Sequence, residues 1–95
     1  MIIEWSRPAV ADIRSLHRFL DQSNPKAATR IAQTIVSTVN RLLSQNPMLG
    51  HPGRVHETRE LVISKTPYIV PYRVRHGRLQ ILRVFHHSQP WPDQL

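Results

Sequence analysis

An α+β fold is expected from three features of the sequence. Apolar side chains recur at helical spacing between residues 8 and 46, and strand-like alternation runs from 59 to 85. Pro and Gly mark the joints between these stretches. The predicted order is β-α-α-β-β-β, a helical hairpin packed on one face of a small antiparallel sheet. One domain covers residues 1–95, since that length suffices for one core and not two.

The first element is "IIEW" at 2–5, a short strand of β-branched and aromatic residues. Ser6 then caps a helix over 8–22, with Pro8 in the first turn, where a missing N–H costs little. Val10, Ile13, Leu16 and Leu20 give that helix its apolar stripe. It stops at "SNP", where Asn24 is both biased away from the α region by Pro25 and well suited to cap the next helix. That second helix spans 25–46. Its stripe is Ala28, Ile31, Ile35, Val39 and Leu42, broadened by Ala32, Val36 and Leu43. Lys26, Arg30, Gln33, Ser37 and Arg41 lie off the stripe. So short a link makes the two helices antiparallel.

"NPMLGHPGRVHET" reads as an irregular loop. Strands are predicted at 59–64, 68–74 and 79–85, the last two joined by a tight turn at His76-Gly77. With that turn, pleat alternation puts Tyr68, Val70, Tyr72, Val74, Leu79, Ile81, Arg83 and Phe85 on one face. Ile69, Pro71, Arg73, Gln80, Leu82, Val84 and His86 take the other. The first face is richer in large apolar groups and is expected against the helices. Arg83 on that face calls for an acid such as Glu4 or Glu60. The second face mixes apolar groups with Arg73 and His86, and a partner chain is expected to cover it.

Thirteen Lys and Arg against six Asp and Glu give a net charge of +7, which suits a nucleic-acid or acidic protein partner. With no cysteine, a disulfide scaffold and a thiolate metal site are both excluded. No His/Asp/Glu set has a metal spacing, so neither metal nor cofactor is expected. No signal peptide or apolar run of about 18 residues is visible, which predicts a cytoplasmic protein that engages no membrane.

His86 could serve as a general acid or base, with Arg73 on the same face stabilising a phosphorane in RNA cleavage. The plainer reading is a surface histidine at a strand end. His86 and His87 are not expected to act together, because neighbours on a regular strand point to opposite faces. Trp91, between Pro90 and Pro92, is expected to fold back as a lid on the sheet edge. Gly-rich phosphate loops, GxSxG and recognition-helix signatures are absent.

"RELVISKTPYIVPYRV" followed by "LQILRVFHHSQPWP" resembles the RelE/ParE superfamily of toxins from type II toxin–antitoxin modules. The helix beginning "PAVADIRSL", the second ending "RLLSQNP" and the "GHPGR" loop come in family order, so the resemblance covers essentially the whole chain. One branch of the superfamily cleaves mRNA in the ribosomal A site; the ParE branch poisons DNA gyrase. The cleaving branch would carry an arginine at the position of Ile69 and lysines near Glu60 and Val62, so this chain looks closer to ParE.

The resemblance implies a toxin that stalls gyrase on cleaved DNA without catalysing a reaction, and that a cognate antitoxin neutralises. The antitoxin is then the chain expected to cover the mixed face, at Ile69, Leu82, Val84 and Arg73, with operator DNA met only through the antitoxin. The alternatives are a ribosome-dependent mRNA endonuclease using Arg73, Arg83 and His86, and a non-toxic corepressor that binds DNA with its antitoxin.

Overall fold

The computed structural model describes all 95 residues. Strand β1 (Ile2–Trp5) leads into helices α1 (Arg7–Asp21) and α2 (Pro25–Gln45). Five more strands complete the chain: β2 (His51–Pro52), β3 (Arg59–Val62), β4 (Tyr68–Arg75), β5 (Arg78–Ile81) and β6 (Phe85–His86). Both helices start where the sequence places their caps. Ser6 Oγ accepts the Ala9 N–H at 3.1 Å, and Asn24 Oδ1 accepts the Ala27 N–H at 3.1 Å. Each such cap is worth about 1 kcal/mol.

The sheet order is β1-β5-β4-β3-β2, with β6 also pairing to β4. It is a mixed sheet, not an all-antiparallel one, because β1 lies parallel to β5. The helical hairpin provides the crossover that such a parallel pair requires. The β4–β5 register is the one expected from the sequence. Tyr72 faces Ile81 and Arg73 faces Gln80, across a turn in which His76 (φ 54°) and Gly77 (φ 73°) are both left-handed.

The helices cover the Tyr72 face. Ile35, Val39 and Leu43 of α2 join Ala9 and Leu16 of α1 in one core with Val70, Tyr72, Leu79 and Ile81. Ile31 packs at its margin, and Leu43, one residue on from the expected Leu42, takes the buried position. Burying each large apolar side chain contributes roughly 1.5–3 kcal/mol.

Tyr72 also anchors the loop after α2. Its hydroxyl donates to the Pro47 carbonyl and accepts the Gly50 N–H, each at 2.8 Å. A Cβ at Gly50 would lie 2.7 Å from the Tyr72 ring and 2.9 Å from the Glu60 carbonyl, so only glycine fits.

Candidate functional site

The geometry of the site turns on a proline. Pro71 sits inside β4, between β3 and β5. Its carbonyl accepts the Leu82 N–H at 3.0 Å, so residue 71 turns its backbone polar groups toward Leu82. In an antiparallel ladder such a pair exchanges two hydrogen bonds, but proline has no N–H to return. The Leu82 carbonyl accepts a hydrogen bond from Ser6 Oγ instead, at 2.9 Å. One hydroxyl thus caps α1 and replaces a missing ladder donor. The Ser6 N–H reinforces the junction by donating to the Ile81 carbonyl at 3.0 Å.

The ladder breaks here. Tyr72 pairs with Ile81, while Ile69 pairs with Phe85, so four steps on one strand oppose three on the other. That one-residue bulge flips the faces beyond it. Asp12 of α1 fills the gap, accepting the Val84 N–H at 2.9 Å and the Arg83 guanidinium at 2.7 and 2.9 Å. The Asp12 hydrogen bond outweighs desolvation and stabilises the cationic form of Arg83. The acid that holds Arg83 is therefore Asp12; Glu4 pairs with Arg78 and Glu60 with Arg54.

The bulge corrects three sequence-based placements. Val84 is not on the open face: it is 4% exposed and belongs to the core. Phe85 moves the other way, opposite Ile69, where Trp91 packs on it with ring centroids 4.7 Å apart. His86 leaves the Arg73 face for the Tyr68 side, where the two rings meet edge-on at 5.6 Å. β6 ends at His86, so the rule of opposite faces does not extend to His87, and the two imidazoles stack at 4.7 Å. The Ser88 N–H donates to His86 Nδ1 at 3.1 Å, and the Ser88 hydroxyl oxygen lies 2.7 Å from the same nitrogen.

Arg73, Arg83 and His86 are therefore not one constellation. Arg73 lies on the open face and donates to Gln80 Oε1 at 2.6 Å. Arg83 is committed to Asp12, and His86 lines a groove with Asp12, Phe19 and Tyr68 beside α1. Ile69 and Leu82 stay half-buried on the open face, beside a Val62 that is 55% exposed.

Sequence reading missed a cluster at one end of this face. Glu60 is 2% exposed and accepts from the Arg54 backbone N–H (2.8 Å), Nε (3.1 Å) and Nη2 (3.2 Å). Desolvation alone would raise its pKa, but the Arg54 hydrogen bonds and the charges of Arg54 and His51 hold it below the usual carboxylate value. The Arg54 guanidinium lies 3.6 Å above the Trp91 ring. Trp91 does fold back, as a cover over Phe85 clamped by Arg54. The one advance signal was an acid at the centre of an apolar strand, which must find a cation.

Residues 3–91 match the sequence profile of the ParE toxin of the type II toxin–antitoxin system, parDE. The chain belongs to the ParE toxin family. This ParE-family chain is 37% identical over 93 residues to Y4kP of Sinorhizobium fredii, covering 98% of the chain and 95% of that relative. It is 30% identical over 84 residues to Toxin RelE2 of Caulobacter vibrioides, covering 88% and 92%. Its fold superposes with a TM-score of 0.84 on a chain of the chromosomal ParDE TA system from P. aeruginosa, at 30% identity over 90% of this chain and 95% of that one. A toxin of this family is one half of a toxin–antitoxin pair, so an antitoxin partner is implied. No helix is long and apolar enough to cross a membrane.

Proposed function

We propose that this ParE-family toxin poisons DNA gyrase in the cytoplasm by binding it, without catalysing a reaction, and that a cognate antitoxin neutralises it. What carries this reading is the dispersal of the groups a nuclease would gather. Arg73 faces away from the helices, Arg83 is neutralised by Asp12, and His86 lies on the Tyr68 side of the sheet, away from Arg73. The position where the cleaving branch would want a cation holds Glu60, an anion already paired with Arg54.

The antitoxin contact is assigned to the open face, over Ile69, Leu82 and Arg73. Val84 drops out because it is buried. A half-buried apolar strip beside a hydrogen-bonded arginine suits a segment that brings apolar anchors and acidic groups and folds as it binds. Sequence-specific operator contact would come through that antitoxin.

The test is expression of the toxin with its antitoxin repressed, with the DNA-damage response and translation followed together. Induction of the damage response ahead of any fall in translation is the expected result. Immediate translation arrest without DNA damage would overturn the proposal.

A further inference from the structure

The cations are not spread evenly in their state of pairing. Of the six acids, Glu4, Asp12, Glu57 and Glu60 are engaged with Arg78, Arg83, Arg75 and Arg54, all outside the helices. Arg59 donates to the Met48 and Gly50 carbonyls, and Arg73 to Gln80. The helices carry six cations of their own: Arg7, Arg14, Arg18, Lys26, Arg30 and Arg41. All six are exposed, and none takes part in an ion pair or a side-chain hydrogen bond. Arg59, Lys65 and Arg73 are the other cations without an acid, so six of the nine unpaired cations lie on the helical hairpin.

Helical periodicity sets these six in two rows. Arg7, Arg14 and Arg18 project from α1 opposite its buried Ala9 and Leu16. Lys26, Arg30 and Arg41 project from α2 opposite its buried Ala28 and Ile35. At a rise of about 1.5 Å per residue, the rows run about 17 Å and 22 Å, on adjacent helices whose axes pack about 8–10 Å apart. Asp21 is the one helical acid without a partner.

We propose that this outer face of the hairpin grips the phosphate backbone of duplex DNA directly, without reading sequence. A two-row cation array over this length matches a stiff polyanion with evenly spaced charge. The two rows contain no aromatic side chain, so the stacking platform that single strands use is missing. Gln33 and Ser37 share the α2 face with Arg30 and Arg41, so the salt slope, which counts phosphates and not bases, is what separates backbone contact from base reading. The operator contact expected through the antitoxin is sequence-specific, and this one is separate from it. The inference leans on the gyrase reading only as the source of a nearby duplex, and its test needs no gyrase.

The experiment is fluorescence polarisation of a labelled DNA duplex against the full chain across a salt series. With six phosphates engaged, log K should fall against log salt with a slope of about −5, and physiological salt should give a Kd of about 10⁻⁴–10⁻⁶ M. The triple variant Arg14→Gln/Arg30→Gln/Arg41→Gln should flatten the slope by about 2.7. The charge-matched Lys65→Gln/Arg75→Gln/Arg78→Gln should leave it nearly unchanged. All six positions are exposed, so circular dichroism should show both variants folded. No binding at low salt, equal losses in the two variants, or tighter binding of duplex RNA or polyglutamate than of DNA would each overturn the proposal. Duplex binding without gyrase inhibition would remove the gyrase reading and leave this one; inhibition without duplex binding would do the reverse.

Discussion

Replacing Asp12 with Ala tests the wiring that sets the faces of the sheet. The substitution removes one carboxylate that accepts three hydrogen bonds, from Arg83 Nε, Arg83 Nη2 and the Val84 N–H. Arg83 is left as an unpaired cation with its side chain 31% exposed, and a partly buried amide loses its acceptor. Removing one member of a fully buried ion pair costs about 3–5 kcal/mol. Partial solvent access lowers that here to about 2–3 kcal/mol, of which the orphaned amide accounts for about 1 kcal/mol.

For a chain of this size the Tm should drop by roughly 10–20 °C. The assay is urea unfolding of the wild type, Asp12→Ala, Arg83→Met and the double variant. The cycle should return a coupling of about 1–2 kcal/mol, and hydrogen exchange at the Val84 amide should accelerate in both Asp12 variants. A coupling near zero with Val84 still protected would show that Asp12 does not bridge the break.

Other expectations rest on single contacts. Glu60 has a folded pKa below its ordinary value of 4.5, so its stabilisation is full above that pH and is lost as pH falls through the folded pKa. The Tm gap between wild type and Glu60→Gln should therefore close as the pH is lowered from 4.5 through the folded pKa, as scanning calorimetry at several pH values would show. Gly50→Ala forces a Cβ against the Tyr72 ring and should cost about 1–3 kcal/mol by urea unfolding. Leu82→Asp should weaken antitoxin binding in titration calorimetry while leaving the Tm of the free toxin nearly unchanged.

What the sequence disclosed was whatever depends on neighbours in the chain. The caps at Ser6 and Asn24, both helical stripes and the left-handed pair His76-Gly77 are local, and the β4–β5 register came from the turn. What it hid depends on partners far apart. Arg83 and Asp12 are 71 residues apart, and nothing in either stretch marks Asp12 over Glu4 or Glu60 as the mate. The bulge did leave a trace: a proline inside a strand with neighbours on both sides must orphan a carbonyl somewhere. Extending strict alternation past Leu82 is what carried His86 and Val84 to the wrong face. The parallel β1–β5 pair was invisible for the same reason, since it closes the sheet across the whole helical hairpin.

The central claim is that this ParE-family toxin acts on gyrase by binding and that His86 moves no proton. Purified toxin, wild type and His86→Ala, should be added to gyrase, supercoiled plasmid and ATP, and in parallel to programmed ribosomes with labelled mRNA. Trapped linear DNA or inhibited supercoiling with both proteins, and intact message throughout, is the predicted result. Cleavage of the message in the ribosomal A site, lost by about 10²–10⁴ in rate with His86→Ala, would contradict it and make His86 the catalyst.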